Sequence, residues 1–124
     1  MTASSLASVS LHPPLVLVCI DHAAELHDMI LEAREFVVNI LESAQEALSR
    51  RFADKHDDRF DGIGYHRSPA GLVLLDGALA HIECERYAIY PGGDHTIVLG
   101  RVIGGSTAEG HPLLYYRGGY AALG

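Results

Sequence analysis

The sequence is poor in the residues that would point to several common functions. It has no tryptophan, and its two cysteines, Cys19 and Cys84, lie far apart in apolar stretches without a C-x-x-C spacing. This pattern argues against a disulfide framework or a thiolate metal site and favours two buried free thiols. No apolar run approaches the roughly 18 residues of a membrane span, and no signal-peptide pattern is present. We therefore expect a soluble, cytoplasmic protein.

Positive charge is scarce as well. Nine lysines and arginines stand against 16 aspartates and glutamates, which gives a formal charge of −7, and the basic residues never cluster beyond Arg50 and Arg51. Such a chain has no basic field to attract a phosphate backbone, so the composition argues against nucleic acid as a partner. The length of 124 residues and a hydrophobic content of 48% predict a single domain over residues 1–124.

Motifs for several catalytic chemistries are missing too. There is no H-E-x-x-H pair, and the spacing of five between His22 and His27 does not place both on one helical face, so no metal site is expected. The chain also has no G-x-S-x-G elbow, no G-x-x-x-x-G-K-[ST] loop and no G-x-G-x-x-G fingerprint. A serine hydrolase, a P-loop enzyme and a Rossmann nucleotide site are therefore not indicated.

The first half of the chain alternates between strand and helix patterns. A continuous apolar run at residues 15–20 predicts a central strand, and Asp21 is placed to begin a helix with one apolar stripe. The β-branched segment 35–41 predicts a second strand, and a capping box at residues 43–46 predicts the start of a second helix.

The second half is predicted to be mostly β. Residues 54–77 are rich in Asp, His, Gly and Pro and predict a long ordered loop. Strands are predicted at residues 78–90, 95–103 and 113–116, with a turn at 91–94. Consecutive strands separated by turns favour antiparallel pairing. The sequence therefore predicts a β-rich α+β fold, a small barrel with two helices packed outside it.

Six segments, taken together and in order, resemble the flavin reductase-like family of short-chain NAD(P)H:flavin oxidoreductases. The resemblance covers essentially the whole chain and implies an FMN-binding split β-barrel that forms a homodimer. In that family a helix and one or two strands usually precede the T-A-S-S loop, so it also implies an N-terminally incomplete domain. The segments are TASSLASVSLHPPLVLVC (2–19), FVVNIL (36–41), QEALSRRFA (45–53), LDGALAHIEC (75–84), GDHTIVLG (93–100) and PLLYYRGGY (112–120).

The resemblance implies that the flavin, FMN or less often FAD, lies against the N-terminal loop and the strand that follows it. Small and hydroxyl-bearing residues suit the apolar face and polar edge of an isoalloxazine ring. Two of the implied residues have an equally supported alternative, since Arg51 could be a solvated helix residue and Asn39 a satisfied buried amide. The implied flavin-binding residues are Thr2, Ala3, Ser4, Ser5, Ser8, Cys19, Ile20, Asp21, Asn39 and Arg51.

The resemblance also implies that His95, Arg117 and Tyr120 lie near the open face of the flavin, where the nicotinamide of NADH or NADPH would stack. His95 is the catalytic candidate, because it could position the nicotinamide or balance charge during hydride transfer, and Arg117 would hold the dinucleotide phosphates. An exposed turn histidine is the alternative for His95. The reduced flavin would pass to a partner monooxygenase.

Two other functions stay open at the level of sequence. One is a non-catalytic flavin or haem carrier built on the same split-barrel dimer. The other is an inactive, truncated relative that has lost its pocket. Reduction of bound flavin by NADH separates the first from a reductase, and absence of flavin binding would favour the second.

Overall fold

The structure is a computed structural model that describes residues 1–53 and 59–121. Within them, β-strands predominate over two short helices and one 3-10 turn at Ser43–Gln45. The strands and helices are β1 (Ala7–Leu11), β2 (Pro14–Asp21), α1 (His27–Glu32), β3 (Glu35–Ile40), α2 (Glu46–Ala53), β4 (Tyr65–Arg67), β5 (Val73–Leu75), β6 (Ala80–Gly92), β7 (His95–Thr107), β8 (Leu114–Tyr116) and β9 (Gly119–Ala121).

Five strands form one antiparallel sheet in the order β1-β2-β7-β6-β3. Its centre is a hairpin of two 13-residue strands, β6 and β7, which are joined by the turn at Gly93 and Asp94. Two further hairpins, β4–β5 and β8–β9, lie outside this sheet. The β-rich α+β class predicted from the sequence is confirmed.

Two bulges interrupt the long hairpin. The register of β6 with β7 skips Ile103 on one strand and Tyr87 on the other. Ile103 lies just beyond Arg101, the last β7 residue paired with β2. Tyr87 directly follows Arg86, whose amide donates to the Arg34 carbonyl at the start of β3. The hairpin is therefore bulged close to the points where its two outer neighbours end.

One face of the sheet carries the core, with α1 packed against it. Its buried residues are Val18, Ile20, Phe36, Cys84 and Val98, and the partly buried Ile30 and Leu31 pack on them. Gly100 is required here, since a Cβ would lie 2.6 Å from the Phe36 ring and 2.8 Å from the Cys84 Cβ. Burial raises the pKa of the Cys84 thiol to about 11, which fits an inert core thiol.

The opposite face of the sheet is apolar as well. Leu17 lies opposite Leu99, and Ile97 lies opposite both Cys19 and Tyr90. Residues directly opposite one another in an antiparallel ladder point to the same side. Tyr90 is 52% exposed, so part of this second apolar face is open to solvent.

The helix starts differ from the predictions. The first helix begins at His27 and not at Asp21, whose carboxylate accepts a hydrogen bond from a backbone amide two residues on and closes a turn before α1. The capping box is centred one residue earlier than predicted, with Glu42 as the cap and Gln45 as its partner. In the part of the chain that is described, no helix is long and apolar enough to cross a membrane.

Two segments predicted as loops contain strands. Residues 7–11 form β1, which pairs with β2, and the loop predicted at residues 54–77 contains the β4–β5 hairpin, although residues 54–58 lie outside the described part. The strand predicted at residues 113–116 is confirmed as β8, whose partner β9 was missed. Strands β1, β4 and β9 are short or largely exposed, so their residues lack the apolar pattern on which strand prediction depends. Strand β5 is apolar, but its three residues are too few to display a strand pattern.

Candidate functional site

The N-terminal loop, residues 1–6, lies beside β2 and is held there by a serine side chain. The Ser5 hydroxyl accepts a hydrogen bond from the Cys19 amide at 2.9 Å and donates to the Cys19 carbonyl at 3.2 Å. It thereby takes the place of a strand partner beyond Ala7, where β1 begins. Ala3 and Ser4 are exposed, and small exposed residues allow a ligand to approach the main chain closely.

The same loop is joined to α2 and to the C-terminal hairpin. The Thr2 hydroxyl donates to the Ser49 carbonyl at 2.6 Å, and the Ser49 and Tyr120 hydroxyls lie 2.9 Å apart. Ser49 is only 3% exposed. The structure thus brings together two predicted site residues from opposite ends of the chain through a buried serine that the sequence analysis did not single out.

Tyr120 is further fixed by its ring. The Arg50 guanidinium lies 4.7 Å from the ring centre, and the Tyr115 ring is 5.5 Å away in an edge-to-face arrangement. Arg117, in the turn of the same hairpin, is exposed and has a φ of +55°. The hairpin therefore carries both C-terminal site candidates at one place on the surface.

His95 begins β7 directly after the tight turn and is 39% exposed. Its Nδ1 lies 2.7 Å from the Asp94 carboxylate. The hydrogen bond from His95, and then the charge of its ring, lower the pKa of Asp94 from its ordinary value. The turn is tied to the β2 end of the sheet because the His22 amide donates to the Asp94 carbonyl at 3.0 Å.

A second histidine supports this turn. His27 Nε2 lies 2.9 Å from the hydroxyl of buried Thr96, and its Nδ1 lies 3.0 Å from Asp28. The His22 and His27 rings meet edge to face at 5.1 Å, which helical spacing did not predict because His22 precedes α1. Among the residues described, no group of three or more His, Cys, Asp or Glu is arranged to hold a metal ion.

Asn39 forms the satisfied amide that the sequence analysis gave as its alternative. Its Nδ2 donates to the Val73 carbonyl at 3.1 Å, and its Oδ1 accepts from the Leu75 amide at 2.9 Å. His81 Nε2 lies 2.9 Å from the Leu75 carbonyl. Both side chains hold the β4–β5 hairpin against the β3 edge of the sheet, and contact of Asn39 with flavin stays a prediction.

Arg51 is partly exposed, and its guanidinium bonds to main-chain carbonyls of the segment that follows α2. Its Nε donates to the Arg59 carbonyl at 2.8 Å and its Nη2 to the Asp61 carbonyl at 2.5 Å. Arg59 in turn pairs with Glu25 at 2.8 Å. Arg51 thus fastens the segment after residue 58 to α2, and its contact with a flavin phosphate stays a prediction.

The remaining flavin candidates lie along β1 and β2. Ser8 is exposed on β1, and Asp21 is exposed at the end of β2, opposite His95. Ile20 belongs to the buried core cluster, so only its main chain is a candidate for ligand contact. The Cys19 main chain is already bonded to Ser5.

The described residues fit a flavin beside the N-terminal loop. Ser5 is bonded to Cys19, and His95 lies opposite Asp21, two residues further along the same strand. Two residues of a strand span about 7 Å and neighbouring strands lie about 5 Å apart, so the loop and the histidine flank the same end of β2. Exposed small residues on one side and a half-exposed imidazole on the other suit a planar, polar-edged ring.

Comparison with known proteins gives concordant matches. The NADH-dependent FAD reductase of Streptomyces globisporus is 44% identical over 108 residues, covering 83% of this chain and 59% of the relative. The reductase subunit HsaB of a flavin-dependent monooxygenase from Rhodococcus jostii is 40% identical over 120 residues, covering 96% of this chain and 62% of the relative. The chain therefore spans about three fifths of the length of these two relatives.

The solved structures agree. The NADH:FAD oxidoreductase of Streptomyces globisporus C-1027, in complex with NAD and FAD fragments, superimposes with a TM-score of 0.93 at 40% identity, covering 100% of this chain and 76% of that chain. The family model described as "Flavin reductase like domain" matches residues 1–124. The resemblance seen in the six sequence segments is confirmed, and the chain belongs to the flavin reductase-like domain family.

Proposed function

We propose that the protein is an NAD(P)H-dependent flavin reductase that binds FMN, or FAD, and supplies reduced flavin to a monooxygenase partner. The observation that carries the proposal is the match of the whole chain to the flavin reductase like domain. Relatives named NADH-dependent FAD reductase and monooxygenase reductase subunit support the activity and the kind of partner.

A bound flavin supplies the acceptor for the hydride that leaves C4 of the reduced nicotinamide. The task of this chain is to hold the two ring systems in register and to keep water away from them. The N-terminal loop serves the flavin side, because its exposed Ala3 and Ser4 are flanked by anchors at Thr2 and Ser5.

His95 serves the nicotinamide side. The Asp94 carboxylate, 2.7 Å from His95 Nδ1, fixes the orientation of the ring and leaves Nε2 for a hydrogen bond with the substrate. The partly exposed ring can therefore orient the nicotinamide. Arg117, exposed in the turn of the C-terminal hairpin, is the candidate for the dinucleotide phosphates.

The proposal includes a cytoplasmic homodimer. Support comes from the second apolar face of the sheet, where Leu17, Ile97 and Leu99 lie side by side and Tyr90 is open to solvent. A second copy of the chain would cover such a face. Tyr90→Asp should weaken the dimer, which sedimentation velocity would measure; a wild-type protein that sediments as a monomer would contradict this part.

The activity is tested by flavin titration followed by NADH oxidation. The purified chain is titrated with FMN and with FAD. Oxidation of NADH is then followed by the loss of its absorbance, and oxidation of NADPH is followed in a parallel assay. The flavin reductase of Pseudomonas putida, a relative 39% identical over 124 residues, is the positive control. Flavin binding without oxidation of either nicotinamide would favour the non-catalytic carrier, and absence of flavin binding would favour an inactive relative.

A further inference from the structure

A hydrogen-bonded bridge through the buried Ser49 connects the two ends of the chain. It runs from the Thr2 hydroxyl to the Ser49 carbonyl, and from the Ser49 hydroxyl to the Tyr120 hydroxyl. We propose that Tyr120 is a positioning residue for the N-terminal loop, so that its hydroxyl acts on flavin affinity through Ser49 and not by touching the nicotinamide. The inference rests on the proposed function in placing the flavin beside that loop.

Ser49 is suited to this task by its burial. Ser49 as a whole is 3% exposed, so its hydroxyl has little access to water and depends on a protein partner, and the Tyr120 hydroxyl is within hydrogen-bond distance. The same residue uses its carbonyl to accept from Thr2. One helical residue therefore holds the loop with its main chain and the hairpin with its side chain.

The direction of the Tyr120 hydroxyl is set without a ligand. Arg50 lies over the ring at 4.7 Å from its centre, and the Tyr115 ring packs against it in a T-shaped arrangement at 5.5 Å between ring centres. A phenylalanine at position 120 retains both ring contacts and loses only the bond to Ser49. Tyr120→Phe therefore separates the effect of the bridge from the effect of the hairpin.

The bridge makes a quantitative prediction for flavin binding. Tyr120→Phe and Ser49→Ala each remove the same hydrogen bond and should weaken flavin binding roughly five- to tenfold. The flavin dissociation constant of the double variant should stay within about twofold of that of the single variant that binds flavin more weakly. The reason is that the effects of two groups that share one interaction are not additive. A direct nicotinamide contact would leave flavin affinity unchanged.

Two measurements test the bridge. Flavin dissociation constants are measured by fluorescence quenching without nicotinamide, and hydrogen–deuterium exchange of the peptide covering residues 1–11 is measured without flavin. Tyr115→Phe is the matched control, because Tyr115 is an exposed residue of the same hairpin; it should change neither readout by more than about twofold. Thermal unfolding of each variant verifies that the domain is folded at the assay temperature.

The outcomes separate the inference from the proposed function. Weaker flavin binding together with faster exchange of the loop in Tyr120→Phe and Ser49→Ala supports the bridge. Unchanged flavin binding and unchanged exchange overturn it, and a rise confined to the KM for NADH would return Tyr120 to the nicotinamide. If the wild type binds no flavin, the proposed function fails, while unchanged loop exchange in the variants would still refute the bridge by itself.

Discussion

Polar side chains of similar chemistry lie at β3, one edge of the central sheet, and at the end of β2 beyond its pairing with β1. The two sets make different kinds of contact. At the β3 edge, Asn39 and His81 bond to the main chain of the β4–β5 hairpin. At the end of β2, Ser5 bonds to the strand while Ala3 and Ser4 beside it stay exposed. The first edge is closed by its own polar groups, whereas the second presents small exposed residues beside a fixed main chain.

The difference gives a way to separate structural from ligand-binding polar residues. A side chain whose donor and acceptor both bond within the protein is committed to the fold. His95 shows the other pattern, since one ring nitrogen bonds to exposed Asp94 and the ring is still half-exposed. Loss of Asn39 should therefore be felt in stability, and loss of His95 in binding.

Asn39→Ala should produce the largest effect. It removes the bonds to the Val73 carbonyl and the Leu75 amide, so the free energy of unfolding should fall by about 2–3 kcal/mol. Urea denaturation would measure it. His66→Ala, in β4 of the same hairpin and with a side chain 63% exposed, is the control and should cost less than about 0.5 kcal/mol.

Asn39→Ala also tests whether Asn39 contacts flavin. For this test, flavin affinity is measured under conditions in which the variant is fully folded. A flavin dissociation constant raised by more than about threefold would restore Asn39 to the flavin site. The distinction between a closed edge and an open one would then be wrong at this residue.

His95→Ala should leave stability nearly unchanged and raise the KM for NADH by about tenfold, which corresponds to one hydrogen bond in a partly exposed site. Its flavin dissociation constant should change by less than about twofold. Steady-state kinetics and flavin titration measure the two values. Equal losses of nicotinamide and flavin affinity would contradict a role confined to the nicotinamide.

Thr96→Val should lower stability by less than Asn39→Ala does, and should raise the KM for NADH by less than His95→Ala does. The substitution keeps the shape of the side chain but removes the hydroxyl that His27 Nε2 contacts at 2.9 Å, so we expect a loss of about 1 kcal/mol in stability. The KM for NADH should rise about threefold as the neighbouring His95 becomes less fixed.

The control is a second hydroxyl residue of β7 that is also close to a histidine. Ser106 Oγ lies 2.9 Å from His81 Nδ1 in an exposed position near the other end of β7. Ser106→Ala should change stability by less than about 0.5 kcal/mol and leave the KM for NADH unaltered. If both substitutions behaved alike, the support of His95 by His27 and Thr96 would be refuted.

The smallest predicted effect is on the titration of Asp94. Its pKa is lowered by the hydrogen bond and charge of His95, so the pair contributes to stability above the ordinary carboxyl pKa and this contribution is lost as the pH falls through the lowered value. In His95→Ala the pKa of Asp94 should rise towards its ordinary value of 3.8. Carboxyl NMR titration of both proteins measures the change, and an unchanged pKa would show that His95 is not its cause.

The sequence predicted the buried strands well and the connections between distant residues poorly. Strands β2, β3 and β7 follow from continuous or β-branched apolar runs, and β6 follows from the pattern of a half-buried strand. The strand β1 was missed because its side chains are mostly exposed, which leaves little apolar signal at an edge.

Contacts between distant residues explain what was missed in the candidate site. Ser49 is 71 positions from Tyr120, and His27 is 69 positions from Thr96. Neither pair has a local spacing that a sequence pattern could display. The family resemblance indicated the segments, and the folded structure shows which residues of these segments are partners.

The two bulges in the long hairpin also bear on aggregation. In a flat hairpin of 13-residue strands, the main-chain groups would stay unpaired along each outer edge beyond the point where the neighbouring strand ends. Tyr87 and Ile103 lie close to those points. The stronger local twist at a bulge makes the unpaired edge irregular, so that it cannot serve as a straight edge for another strand. Each extra residue therefore makes the exposed backbone a poor surface for pairing with a foreign strand.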